Sequence, residues 1–331
     1  MKIVIDSAIP YIKGVFEPFA QVTYCLGSEI TPEIVVDADA MIIRTRTKCN
    51  KEMLRGSSVR HIATATIGFD HIDLDYCAQH NITVTSAAGC NARAVLHWVG
   101  TALAHLSQLK GWQPCEKTIG VVGVGNVGSL IKEYALEWGF RVVCCDPPRA
   151  LREGGGDFLS LEEVAKRADI LTLHTPLNDS TFHFIDKTIL ELLPSGATVI
   201  NTSRGEVIPT EDLLVSDVDY ALDVWEDEPN INSKLLQRSL LSTYHIAGYS
   251  KQGKANGSAI VVRDIANHFS LPIKDWYPDV EQITPRKISW SELTASILDH
   301  MDIVKESQTL KNHREDFESL RNNYNYRDEK F

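Results

Sequence analysis

Short runs of β-branched and other apolar residues recur along the chain, and longer segments with apolar positions at helical spacing separate them. The runs fall at Lys2–Asp6, Ala40–Arg44, His61–Thr64 and Thr83–Ser86 in the first part. In the second part they fall at Thr118–Val122, Val142–Cys145, Ile170–His174, Thr198–Asn201, Tyr220–Leu222 and Leu241–Thr243. Continuous apolar strands alternating with helices predict parallel sheets covered on both faces. The expected fold is therefore α/β, with two open, doubly wound, Rossmann-like units. A long helix is predicted over Ala92–Lys110, after the turn Gly89-Cys90-Asn91, and a second over Lys254–Phe269. If both helices cross the same gap, chain returning after residue 254 completes the first unit. The predicted domains are then 1–91 with 255–280, and 92–254.

Beyond Pro272, Pro278 and Pro285 the pattern changes again. Ser289 and Glu292 form a capping-box signature, and Leu293, Ile297, Met301 and Val304 follow as an apolar stripe. That stripe needs a surface to cover, either its own subunit or a second copy. Residues 281–331 are accordingly expected to form a small α-containing dimerisation segment.

At 331 residues, with 44% hydrophobic and 23% charged positions, the composition is that of an ordinary folded protein with room for about two domains. The net charge of -11 repels nucleic-acid backbones and anionic membranes, so neither is an expected partner. Small anionic substrates remain compatible where basic residues cluster. The seven cysteines include no C-x-x-C pair, and the start of the chain shows no basic and apolar leader pattern. A reduced, cytoplasmic protein is the simple expectation.

The most informative motif is Gly123-x-Gly125-x-x-Gly128, which ends one predicted strand and opens a helix. Such glycines permit a tight turn, close backbone approach to a diphosphate, and helix–strand packing, while free amides at the helix start hold the phosphates. The next strand ends at Asp146, 18 residues beyond Gly128. An acid there accepts ribose hydroxyls and repels a 2′-phosphate, which favours NAD over NADP, although Arg149 softens that preference. Asn126 and Val127 complete the turn.

Three later strand ends carry polar loops: Asn201-Thr-Ser-Arg-Gly205, Asp223-Val-Trp-Glu-Asp-Glu-Pro229 and His245-Ile-Ala-Gly-Tyr249. Ligands of open parallel sheets bind beyond the carboxyl ends of the strands, so these loops should converge beside the cofactor. Histidine can act as a base near neutral pH, a carboxylate can orient it, and arginine can hold an anionic group.

Together, the glycine motif, Ser203-Arg204-Gly205, Glu228-Pro229 and His245-Ile-Ala-Gly248 resemble the NAD-dependent D-2-hydroxyacid dehydrogenases over about residues 1–270. Thr64-Ala-Thr-Ile-Gly-Phe-Asp-His71, Gly89-Cys-Asn-Ala92, Cys145-Asp-Pro-Pro-Arg149 and His174-Thr-Pro-Leu177 are similar to the branch of that family that oxidises 4-phosphoerythronate for pyridoxal 5′-phosphate synthesis. The resemblance implies catalytic roles for Arg204, Glu228 and His245. It selects Glu228 among Glu226, Asp227 and Glu228, and it assigns Asp223, Thr175, Thr202, Ser203, Arg204 and Gly248 to the cofactor. Substrate contacts carried over are Thr45, Thr66 and Tyr249. It also implies a homodimer, through an ending, Phe317–Tyr324, that is similar to the branch's dimerisation segment.

A phosphorylated acid needs local cations, and Arg44, Arg46 and Lys48 stand together after a strand; on an extended chain Arg44 and Arg46 would point the same way. Other 2-hydroxy acids, such as glycerate or 3-phosphoglycerate, share the catalytic residues, and NAD-sensing corepressors resemble the same family. Cys90 reads as a buried helix-entry thiol. Asp70, His71, Asp73 and Asp75 lack a ligand spacing, so no metal is expected.

Overall fold

A computed structural model describes residues 1–331, and the chain divides into two compact units, Met1–Asn91 with Lys251–Gln282, and Ala92–Ser250 with Ile283–Phe331. The unit boundaries thus fall at Ser250/Lys251 and Gln282/Ile283.

The first unit holds a five-stranded, all-parallel sheet of β1 (Lys2–Asp6), β2 (Gln21–Cys25), β3 (Ala40–Ile43), β4 (His61–Thr64) and β5 (Thr83–Ser86), in the order β2-β1-β3-β4-β5. Side chains alternate across it. Val4, Met41, Ile43 and Ile62 pack into one core, while Ile3, Ile5, Ile42 and Ala63 pack into another together with Val261, Val262 and Ile265 of the helix Lys251–His268. That helix starts three residues before the expected Lys254.

The second unit holds β6 (Thr118–Val122), β7 (Arg141–Cys145), β8 (Ile170–Leu173), β9 (Thr198–Asn201), β10 (Asp219–Leu222) and β11 (Leu241–Ser242). All pairings are parallel, in the order β11-β10-β9-β8-β6-β7. The strand order reverses between β6 and β8, which makes the crevice beyond their carboxyl ends the binding position of such a sheet. The helix Ala92–Lys110 forms as expected, with Leu96, Trp98, Val99, Leu103 and Leu106 buried in this unit's core.

Residues Ile283–Phe331 form no unit of their own. Leu293, Met301, Ile303, Leu310 and Phe317 are buried in the second unit's core, and Ile297 packs against it. The stripe therefore covers its own chain, and of its members Val304 stays exposed. No helix is long and apolar enough to cross a membrane.

Candidate active site

The glycine turn follows the buried strand β6. Gly123 has φ +83°, and a Cβ there would lie 2.8 Å from the backbone carbonyl of His174, the residue that leaves β8. A Cβ on Gly128 would lie 1.9 Å from the Gly123 oxygen, so the helix Asn126–Glu137 approaches the turn as only glycine allows. Nothing lies within 4 Å of a Cβ built on Gly125, where the backbone faces open space at the helix entrance. A cradle of this form fits a diphosphate, with Asn126 and Val127 at the first helical amides.

Asp146 braces that cradle. Its Oδ2 accepts from Val124 N at 2.7 Å and its Oδ1 from Arg149 N at 2.9 Å, which leaves lone pairs for a ribose. Arg149 is committed elsewhere: it forks onto Glu153 at 2.7 and 2.9 Å and donates to Val124 O at 2.7 Å. A 2′-phosphate would have to displace Glu153, so Arg149 softens the preference for NAD less than its sequence position suggests.

After β8, His174 bridges Thr172 Oγ1 at 2.9 Å and Thr202 Oγ1 at 3.3 Å. Burial pushes its pKa down to about 3, so the bridge is a neutral imidazole, and it fixes Thr202 over the sheet end. Thr175 Oγ1 is buried with no protein partner. A buried hydroxyl without a partner beside the glycine turn fits a cofactor hydroxyl.

The arginine loop is folded by Asn201 at the end of β9. Its Oδ1 accepts from Ser203 N at 3.0 Å and Ser203 Oγ at 2.8 Å, and its amide donates to Arg204 O at 2.8 Å. A Cβ on Gly205 would fall 1.9 Å from the Trp225 carbonyl carbon, so the Ser-Arg-Gly loop lies directly against the Asp223–Pro229 loop. Arg204 Nη1 donates to Ser203 O at 2.8 Å.

Asp223 is fully buried and builds the histidine loop. It accepts from Thr243 Oγ1 at 2.6 Å, Ile246 N at 2.8 Å and Ala247 N at 2.9 Å. Its backbone oxygen accepts from His245 N at 2.8 Å, in the strand-like continuation that holds His245 at φ +61°. Much of Asp223's acceptor capacity is thus spent on the loop rather than on a ligand.

His245 Nδ1 lies 2.7 Å from Glu228 Oε2, while Glu228 Oε1 accepts from Trp225 N at 2.9 Å. Burial alone would raise the Glu228 pKa, but His245, Arg321 and the Trp225 amide outweigh it and hold the carboxyl below its usual range. An ionised acceptor at Nδ1 fixes the tautomer of a neutral imidazole, with its proton on Nδ1 and its lone pair on Nε2. The neighbouring acids are excluded by geometry: Glu226 binds His183 Nε2 at 2.6 Å and Thr210 N at 2.9 Å, and Asp227 is exposed. Tyr249 and Gly248 follow on the same loop, and Tyr249 N donates to Ile246 O at 2.9 Å.

In the first unit, β3 ends at Ile43 and the chain turns, with Thr47 N donating to Arg44 O at 3.2 Å. This corrects the extended-chain expectation for Arg44 and Arg46. Arg44 Nε lies 3.1 Å from the fully buried carboxylate of Asp6, which neutralises it locally; Thr45 and Arg46 are exposed on the turn. Thr66 Oγ1 lies 2.6 Å from Thr64 Oγ1.

Sequence reasoning missed His174 as a bridge, the His183–Glu226 pair and Arg321. The first carried a signal, the His-Thr-Pro-Leu segment; Arg321, 93 residues from Glu228, lies in the ending Phe317–Tyr324, whose resemblance pointed to dimerisation and not to this site.

Residues 95–247 match the family model of the D-isomer specific 2-hydroxyacid dehydrogenase NAD-binding domain. The chain is 44% identical to the erythronate-4-phosphate dehydrogenase of Bacteroides thetaiotaomicron, with 99% of this chain and 97% of that protein aligned. It is 41% identical to the enzyme of the same name from Photorhabdus laumondii, over 83% of this chain and 76% of the relative. Among solved structures, NAD-bound 3-phosphoglycerate dehydrogenase of Entamoeba histolytica superposes with a TM-score of 0.69 at 25% identity, covering 86% of this chain and 99% of that one. With the glycine cradle, the Asp146 brace and the Glu228–His245 pair in place, the chain belongs to the NAD-dependent D-2-hydroxyacid dehydrogenases, among the erythronate-4-phosphate dehydrogenases.

Proposed function

We propose that the chain oxidises 4-phospho-D-erythronate to (R)-3-hydroxy-2-oxo-4-phosphooxybutanoate with NAD, a step of pyridoxal 5′-phosphate synthesis. The observation that carries the chemistry is the 2.7 Å contact between His245 Nδ1 and Glu228 Oε2, which leaves Nε2 available to a substrate hydroxyl. The substrate is taken from the nearly full-length likeness to enzymes of that name.

Bound NAD supplies the hydride acceptor. His245 takes the hydroxyl proton as the C2 hydride departs, and Glu228 stabilises the imidazolium that results. Arg204 holds the substrate carboxylate and polarises the developing carbonyl, a charge-assisted contact worth about 1.5–3 kcal/mol. Gly123, Gly125, Asn126, Val127 and Gly128 hold the diphosphate, and Asp146 holds the adenine-side ribose. Thr175, Thr202, Ser203, Asp223 and Gly248 line the rest of the cofactor. Tyr249 is the proposed substrate contact in the second unit, and Thr45, Thr66, Arg44 and Arg46 are those in the first.

Cytoplasmic location and a homodimer belong to the same reading. All seven cysteines are free thiols, in keeping with a reducing compartment. The sedimentation mass, set against 36.9 kDa per chain, decides the assembly.

The test is NADH formation by purified protein with 4-phosphoerythronate, unphosphorylated erythronate and 3-phosphoglycerate. Turnover specific for the first is expected. Preference for 3-phosphoglycerate would reassign the substrate, and activity on unphosphorylated acids alone would remove the phosphate from the reading.

A further inference from the structure

The end of the chain is built into the catalytic loop of its own unit. Arg327 Nη1 donates to Ile246 O at 3.0 Å, and Nη2 donates to Ala247 O and to Ala94 O, the last at 2.8 Å. Ser250 Oγ donates to Glu329 Oε1 at 2.7 Å, and Ser250 pairs with Arg327 as a parallel bridge. Tyr324 and Tyr326 meet the Tyr249 ring edge-on, at centroid distances of 6.4 and 5.9 Å. These contacts clamp the backbone that carries His245.

Arg321 does something different. Its Nε donates to Tyr249 Oη at 3.1 Å, and its Nη1 lies 4.0 Å from Glu228 Oε2, the same oxygen that meets His245. The side chains of Arg321 and Glu228 are only 19% and 18% exposed. Among charged neighbours, Glu228 and Glu318 attract it.

We propose that Arg321 is a positioning residue of the reaction: its Nε–H fixes the Tyr249 hydroxyl in place, and its guanidinium sets a fixed cation beside the Glu228–His245 pair. A guanidinium only donates, whereas a phenol has one proton and accepting lone pairs. With Arg321 Nε–H directed at Tyr249 Oη at 3.1 Å, one accepting site of the phenol is taken and the hydroxyl is held at a fixed place on the loop that carries His245. The cation beside Glu228 also holds the carboxylate that orients His245, in partly desolvated surroundings where such a charge is weakly screened. The inference rests on Tyr249 contacting substrate.

The experiment is a double-mutant cycle on the full chain with 4-phosphoerythronate as probe, using R321M, Y249F and the pair. Each single variant is expected to lower kcat/KM about tenfold or more, with the NAD KM unchanged. The pair should be no worse than the poorer single variant, because the two residues act through one hydrogen bond. R321K should recover part of the loss, since it keeps the charge beside Glu228 but not the planar fork. R327M serves as the structural comparison and should lower the melting temperature. Losses that multiply in the double variant, or R321M kinetics equal to wild type, would overturn the proposal. Wild-type behaviour of Y249F would remove Tyr249 as a contact and the proposal with it, whereas full activity of H245N would instead sink the catalytic reading. If R321M fails to fold, R321Q replaces it in the same cycle.

Discussion

Replacing Glu228 by glutamine removes one charge and almost no volume, so the response measures what the carboxylate does. In the native site both oxygens are acceptors, one for Trp225 N at 2.9 Å and one for His245 Nδ1 at 2.7 Å. An amide has only one acceptor oxygen, so either the Trp225 amide or the imidazole Nδ1–H must face an NH₂ group. If the imidazole yields, its tautomer inverts and Nε2 carries a proton when it should accept one. Two charges about 4 Å apart interact by about 1 kcal/mol in water and about 4 kcal/mol at an effective dielectric constant near 20. Loss of that stabilisation from the imidazolium-forming step corresponds to about fivefold to 10³-fold in kcat, with the tautomer penalty added to it. Pre-steady-state NADH formation reads the loss, and NADH titration checks that cofactor binding survives. A variant within about threefold of wild type would refute the assignment of Glu228 as the orienting acid.

Three further outcomes are expected. H245N should lose on the order of 10² to 10⁴ in turnover while still binding NADH; an unchanged rate would take His245 out of the proton transfer. D146N, which keeps an acceptor for the Val124 or Arg149 amide, should bind NAD more weakly and discriminate less against NADP; a cofactor preference identical to wild type would remove Asp146 from ribose recognition. Stability should fall as the solution is acidified below about pH 6.5, because burial, chiefly, holds His61 near 4 and His97 and His174 near 3 in the folded chain, whereas the unfolded chain protonates them near the ordinary value. The unfolded state then binds more protons, each at about 1.4 kcal/mol per pH unit, and this contribution is complete above pH 6.5 and lost downward toward pH 3 to 4; a urea midpoint flat from pH 7 to about 4.5 would contradict it.

Most of the strands that were legible are buried apolar runs, and Thr83–Ser86, with Thr83 exposed, was legible from its β-branched residues. β2 (Gln21–Cys25) was missed because none of its residues is fully buried: Gln21 and Thr23 are exposed, and the pairing of Lys2 with Gln21 supplies what the side-chain pattern does not. The same division runs through the site. Residues proposed to serve a ligand by backbone shape or by being the right functional group within one loop, such as Gly123, Gly128, Arg204 and His245, announce themselves in short motifs. Residues that place those groups do so from far along the chain. Asp223 spends its carboxylate on the amides after His245, and Arg321 comes from a segment whose apolar stripe pointed only to packing or assembly. A charge on a short helix reads as a solvated face until the fold shows what it meets. The stripe Leu293, Ile297 and Met301 supports that outcome, since by covering its own unit it carries the chain's end to the loop where Arg321 and Arg327 act. The same packing constrains the proposed assembly: with Leu293 and Met301 already buried within the chain, the proposed homodimer would draw on other surface, so substitutions that test it belong at exposed positions of the tail such as Leu298 rather than in the stripe.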